Sequence, residues 1–415
     1  KPRKKRKMVS KPVLCLLFVG FWALAHGNYH QHLQDFVNNA PEEVIDDFII
    51  SAADDAKDMT VEPTRFEGQL LDHYDLLDKR NWSQRYWQYD NYFDNTQGSV
   101  LLYVCGEYVC PGLPQERGWP GVLAKIFKSR VYVVEHRFYG ESQPFENDGS
   151  KGGWDVDNLR YLTIEQALAD LAVFVATKKE EIASYFDFEP KWYVVGGSYP
   201  GALSAWFRTL YPNLVEASLA SSAVVHTFAN YPQYDHQVRQ SLLESSQECA
   251  ANVRDISNFA EFMLNNSPET KAQIKKVFKG ETLEDTQFLF YVADIMATRV
   301  QYGGRTALCS AIKADSFKES FTKAVKYLDD NGYLDPTTYE LDYLKDTNSY
   351  NDRASRQWLW QKCLQVGFFQ TADMEDPERS TVVDFQFKKR RCVEVFGQTI
   401  EPNENLTNTM LQGKQ

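Results

Sequence analysis

The stretch that most constrains this chain is WYVVGGSYPGALSAWFRTLYP, from Trp192 to Pro212. An aromatic and β-branched run ends in Gly196-Gly197, a serine follows, and the next residues have helical spacing. Such a strand-to-helix turn lifts a serine hydroxyl to the carboxyl edge of a sheet. The first amide of the following helix, that of Tyr199, then faces the place where an oxyanion would develop. The helix N-terminus adds partial positive charge there. Gly196-Gly197-Ser198-Tyr199 begins a Gly-x-Ser-x-Gly pattern, but the fifth residue is Pro200 and the glycine stands at 201. Proline is tolerated in the first turn of a helix. The alternative is a glycine-rich turn with an idle serine. A serine is a weak nucleophile until a base and an orienting acid activate it, so the rest of the chain must be searched for both.

Strand and helix signals alternate around this turn. Ser99–Glu107 (SVLLYVCGE) and Arg130–Ser142 (RVYVVEHRFYGES) read as buried strands that end in loops. Tyr161–Lys179 reads as a helix with Thr163 and Gln166 at capping-box spacing and Ile164, Leu168, Leu171 and Phe174 on one face. Short antiparallel strands are expected in the aromatic segment from Phe66 to Phe93. Alternating strands and helices imply a largely parallel, doubly covered sheet. Beyond about His226 strand-like runs give way to helical ones, as in AANVRDISNFAEFML and TQFLFYVADIMATRVQ. The loop VCGEYVC, Val104–Cys110, would lie beside the serine, where the Glu107 amide could be the second oxyanion donor; a disulfide-closed surface loop is the alternative.

The first 25 residues read as a secretory leader, with seven Lys/Arg in residues 1–11, an apolar stretch from Val13 to Ala25 and a small-x-small site at Ala23-Leu24-Ala25. The apolar stretch is short for a membrane span, and an uncleaved anchor is the alternative. Residues 26–60 are acidic and read as a propeptide or loose arm. Net charge is −12, and −19 without the leader's cations, which disfavours a nucleic-acid partner. Six cysteines follow the leader: Cys105, Cys110, Cys249, Cys309, Cys363 and Cys392. An even number in an exported chain suggests disulfides; proximity favours Cys105–Cys110, and fifteen pairings are open in all. No Cys-x-x-Cys or His-rich spacing points to a metal, and no cofactor is expected. Asn81, Asn265 and Asn405 stand in Asn-x-Ser/Thr sequons.

The segment from Gly196 to Gly201, continued by LSAWFRTLYPNLVEASLASSAVV, resembles the lysosomal prolyl carboxypeptidase and dipeptidyl-peptidase II family of serine peptidases. LDHYD, QRYW, EHRFYGES, YLTIEQALADLA and RQWLWQKCLQVGFFQ agree in family order over roughly residues 65–400. The similarity is greatest to the branch with thymus-specific serine protease and plant relatives. The resemblance implies an α/β-hydrolase fold with an inserted helical cap: hydrolase domain over 61–226, cap over 227–355, and a return to the hydrolase domain over 356–415. It implies the pairings Cys249–Cys309 and Cys363–Cys392, and an exopeptidase of the secretory pathway, extracellular or in a lysosome or vacuole, that acts on peptides near proline or small residues. A homodimer is possible by the same resemblance, with no membrane attachment once the leader is removed. Trp358, Trp360, Phe368 and Phe369 are candidates to line a substrate pocket, with packing as the alternative. Gln365 stands where the family has Glu.

In this family the triad acid follows a late strand in an Asp-Pro-Trp-like segment, and the histidine comes later still. Neither segment is found before the chain stops at NLTNTMLQGKQ, so the last strands and helix of the fold are expected to be missing, as in an incomplete gene product. His226 and His236 lie after the serine, Asp376-Pro377 mimics the acid motif, and His73 and His136 lie before it; none has the expected context. The competing readings are an inactive secreted binding protein on the same fold and an esterase or lipase.

Overall fold

Every residue from Val100 to Val104 is buried, as a strand covered on both faces requires. The computed structural model describes residues 61–113, 119–149, 151–375 and 377–413. The expected leader and acidic arm, and Asp376, lie outside the described residues. The described chain falls into two compact units. One holds residues 61–146, 161–225 and 350–353; the other holds 147–160, 226–349 and the residues from 354 onward.

The first unit is built on a six-stranded sheet of β1 (Thr64–Leu70), β2 (Asn81–Tyr89), β3 (Val100–Val104), β4 (Arg130–Val134), β5 (Trp192–Gly197) and β6 (Ala217–Ser221). The order is β1-β2-β4-β3-β5-β6. β1 and β2 form the expected antiparallel pair, and β2 joins β4 antiparallel. From β4 onward all neighbours are parallel. Crossovers run through α1 (Trp119–Ile126), α2 (Ile164–Tyr185) and α3 (Tyr199–Leu210). A parallel sheet with crossover helices and a serine turn between β5 and α3 is an α/β-hydrolase fold. Alternate residues feed opposite faces. Leu101, Tyr103, Val131, Val133, Tyr193 and Val195 join one apolar cluster. On the other face Tyr132 stacks on Trp192 and meets Phe174 of α2 edge-on.

α2 begins where the sequence places it, with Thr163 accepting from the Gln166 amide. The reciprocal half of the capping box does not form. The Gln166 side chain instead donates to Asp72 and accepts from the His73 amide, pinning the turn after β1.

The second unit is mainly helical. α4 (Gln233–Ser245), α5 (Gln247–Asn266), α6 (Pro268–Val277), α7 (Asp285–Gln301), α8 (Arg305–Ala311) and α9 (Phe317–Asp330) surround a core that includes Leu242, Ile256, Phe278, Phe288 and Tyr291. Residues 356–413, expected to rejoin the hydrolase domain, belong to this helical unit instead. Val383 and Phe387 enter its core. β8 (Gly367–Phe369) pairs with β7 (Phe228–Asn230), two strands of three residues, of which β7 falls in the stretch expected to be helical. The Asn408 side chain accepts from the Thr227 N–H and donates to the Thr227 C=O. Cystines join Cys249 to Cys309 and Cys363 to Cys392 within this unit, and Cys105 to Cys110 within the first. Among the described residues no helix is long and apolar enough to cross a membrane.

Two glycines of the second unit separate crowding from backbone strain. Gly367 has φ 67°, and a Cβ there would lie 2.4 Å from the Ala229 Cα and the Phe228 carbonyl oxygen. Gly397 has φ 69° and an added Cβ would meet nothing within 4 Å. Gly367→Ala should lower stability by about 3 kcal/mol and Gly397→Ala by about 1 kcal/mol. Urea unfolding of both variants tests this; equal losses would show that β7 relaxes freely around the added methyl.

Candidate active site

Ser198 sits between β5 and α3 with φ 62° and ψ −129°, a left-handed conformation that is costly for any residue but glycine. The surroundings enforce it. The Ser198 amide donates to Ser221 O at 2.9 Å, and its carbonyl accepts from Ala202 at 3.0 Å. The glycines on either side allow the close approach. A Cβ at Gly196 would lie 2.2 Å from the Pro200 carbonyl oxygen, and one at Gly201 would lie 2.9 Å from Ser221 O. The Ser198 residue is exposed while its neighbours Gly196, Tyr199 and Pro200 are buried.

The loop after β3 packs against this turn. A Cβ on Gly106 would lie 2.4 Å from Pro200 Cγ, so the loop backbone and the first turn of α3 touch. Cys105 continues the ladder by donating to Val134 O, and the cystine closes the loop at Cys110. Glu107 is half-buried within it. The two residues expected as backbone oxyanion donors, Tyr199 and Glu107, thus belong to segments in direct contact.

Three consecutive polar residues at the end of β4 organise the surroundings. Glu135 is fully buried and accepts from Arg85 Nε and Nη2 and from the amides of Cys110, Glu141 and Ser142. Burial pushes its carboxyl above the usual range, and Arg85 pulls it back. Both oxygens face N–H donors only, which identifies the ionised form. Gly140 is required here, because a Cβ would lie 1.9 Å from Glu135 Oε1. His136 places Nδ1 2.8 Å from Arg137 O and Nε2 3.1 Å from the Tyr199 hydroxyl. Arg137 clasps Asp170 of α2 through Nε and Nη2, both at 2.6 Å, and Asp170 also meets His73 Nε2 at 2.7 Å.

These contacts commit the two imidazoles of the first unit away from the serine: His73 to Asp170, His136 to Tyr199. Among the described residues no imidazole is hydrogen-bonded to Ser198 Oγ. In the second unit His226 packs its ring 4.1 Å from that of Phe228, and His236 is exposed on α4. Trp360, Phe368 and Phe369 are buried there. Trp360 packs on Phe396 and Phe368 on Tyr231, while Phe369 meets Phe385; Trp358 is half-buried. Asn81, Asn265 and Asn405 are all exposed. Among the described residues no group of three His, Cys, Asp or Glu could hold a metal ion. Arg85 and the Ser221 carbonyl carry roles that sequence reasoning missed; the signal for the first was Arg85 in QRYW together with a charged run directly after a buried strand.

Burial pushes the His136 imidazole down to about 4, against smaller upward pulls from the Arg137 carbonyl and Asp170. An unfolded histidine titrates near ~6.5. The unfolded chain therefore binds the proton first as pH falls, and the stability tied to a neutral ring, full above about pH 6.5, declines until about pH 4. In His136→Asn this slope disappears. The stability gap between wild type and variant, measured by urea unfolding, should narrow by about 2 kcal/mol between pH 7 and pH 4.5. An unchanged gap would refute the buried neutral ring.

Comparison with known proteins agrees with this geometry. The family model Peptidase_S28, serine carboxypeptidase S28, matches residues 69–414. The chain is 34% identical to probable serine protease EDA2 of Arabidopsis thaliana over 83% of this chain and 70% of that protein. It is 29% identical to thymus-specific serine protease of Homo sapiens over 79% and 68%. It is 35% identical to lysosomal Pro-X carboxypeptidase of Bos taurus over 46% and 38%. The chain thus spans about two thirds of the length of the first two.

Proposed function

The chain belongs to the serine carboxypeptidase S28 family, a family of serine peptidases, and from that premise we propose that Ser198 is the nucleophile of an exopeptidase that cleaves peptides near proline or a small residue. The observation that carries this reading is the Ser198 backbone, held at φ 62° with the residue exposed. Ser198 Oγ attacks the scissile carbonyl and its proton passes to an imidazole base. The tetrahedral oxyanion is held by the amides of Tyr199 and Glu107. Collapse expels the amine, which takes the proton from the base, and leaves an acyl-enzyme that water hydrolyses. The exopeptidase mode draws on the similarity to a Pro-X carboxypeptidase. Three cystines support an oxidising, secretory or lysosomal setting.

The alternative is a catalytically inactive binding protein on the same fold.

The test uses the full-length protein and three substrates: a peptide with an amino-terminal Xaa-Pro dipeptide, a peptide ending in Pro-Xaa, and a short acyl ester. Hydrolysis of either peptide, lost by at least 1000-fold in Ser198→Ala, is the expected result. Turnover of the ester alone would favour an esterase. Equal inactivity of wild type and variant would favour the binding protein.

A further inference from the structure

An oxyanion pocket made of two backbone amides works only if their spacing is fixed, because small misplacements cost large factors in rate. Here the two amides belong to different segments, the Cys105–Cys110 loop and the start of α3. The cystine closes the loop on itself and does not by itself tie it to anything else. Gly106 packs against Pro200 at the start of α3, and the loop's position depends further on what holds its two ends.

We propose that Glu135 and His136, consecutive residues at the carboxyl end of β4, are the positioning residues of this pocket, Glu135 holding the loop that carries Glu107 and His136 holding Tyr199. The inference rests on Ser198 being the nucleophile.

The contacts divide cleanly between the two side chains. Glu135 accepts from the Cys110 amide at 3.2 Å, and its partner Arg85 donates to the Cys110 carbonyl at 3.2 Å. The end of the loop is therefore gripped at both its N–H and its C=O. Its start is anchored to the same strand end, since Cys105 donates to Val134 O. His136 acts in the other direction. Its Nδ1 faces the Arg137 carbonyl, which can only accept, so Nδ1 carries the proton. Nε2 is then a lone pair and accepts from the Tyr199 hydroxyl. Tyr139 packs edge-on against the imidazole, with ring centroids 5.2 Å apart. Because both holds spring from adjacent residues directly after β4, a shift of that strand end moves both donors together and preserves their spacing.

The experiment compares four single variants of the full-length protein, Glu135→Gln, His136→Asn, His136→Gln and Tyr199→Phe, and the double variant His136→Asn with Tyr199→Phe. Asn reproduces the Nδ1 position of histidine and loses the contact to Tyr199; Gln reaches the Nε2 position and can still accept there. Two readouts are taken. One is kcat and KM on the peptide cleaved by wild type. The other is amide hydrogen exchange, followed by mass spectrometry, over residues 106–110 and 199–203.

Glu135→Gln should speed exchange in 106–110, and His136→Asn and Tyr199→Phe in 199–203, with exchange elsewhere unchanged. Each should lower kcat by about 10- to 100-fold with KM within about twofold, as loss of a transition-state contact does. His136→Gln should lose less than His136→Asn, and His136→Asn combined with Tyr199→Phe should lose no more than either alone. Unchanged local exchange overturns the proposal, as does local loosening with kcat intact or with KM rising in step. If Glu135→Gln does not fold, Glu135→Asp, which keeps the charge but withdraws it from Cys110, serves in its place. Should wild type and Ser198→Ala be equally inactive, the peptidase reading fails separately. Exchange then decides whether the two side chains hold these segments, and their catalytic purpose falls with the reading.

Discussion

The arrangement of the first unit depends on one backbone conformation, that of Ser198 at φ 62° and ψ −129°. It costs on the order of 1–3 kcal/mol and persists only because several contacts over-determine it. Gly196 and Gly201 let the strand, the turn and Ser221 approach one another, and Gly106 lets the loop after β3 close against Pro200. A methyl group at any of the three would meet atoms at 2.9 Å or less. The sheet order follows the same logic. β5 must have parallel neighbours on both sides, so that the turn at its carboxyl end lies beside the loop from β3 and the segment after β6.

Much of this was legible in the sequence because punctuation and period agree there. WYVVGG has the β-branched character of a buried strand and ends in the glycines that a sharp turn needs. Thr163 stops one segment and starts another, and the face from Ile164 to Phe174 has the helical period. What escaped was long-range. β7 and β8 are three residues each and far apart along the chain, too short for any period-two signal to show. The membership of residues 354–413 in the helical unit rests on such contacts, with Val383 and Phe387 entering a core whose other members come from α4 to α9 and the turns between and after them.

The charged run Glu135-His136-Arg137 escaped for a different reason. Three polar residues in succession normally announce solvent, and a sequence does not show that all three are buried. Burial is tolerable only because each finds its own partner: Arg85 for Glu135, Tyr199 for His136, Asp170 for Arg137. Those partners come from β2, α3 and α2, so the tripeptide is a junction through which four elements are held. The aromatic residues from Trp360 to Phe369 show the opposite limit. Bulk and apolarity suggest a pocket and a core equally well, and here the rings lie in packing contacts of the helical unit.

The three cystines differ in what they restrict. Cys249 and Cys309 are 60 residues apart, Cys105 and Cys110 only 5. On a chain-entropy account the longer closure raises the free energy of the unfolded ensemble by about 4 kcal/mol and the shorter by about 2 kcal/mol. The short ring thus adds about half as much to the case against unfolding as the long one. It also closes the loop that lies against the serine turn. Reduction of Cys249–Cys309 would register in a melting curve. Reduction of Cys105–Cys110 would register there about half as strongly, and would also free the one loop that lies against the serine turn.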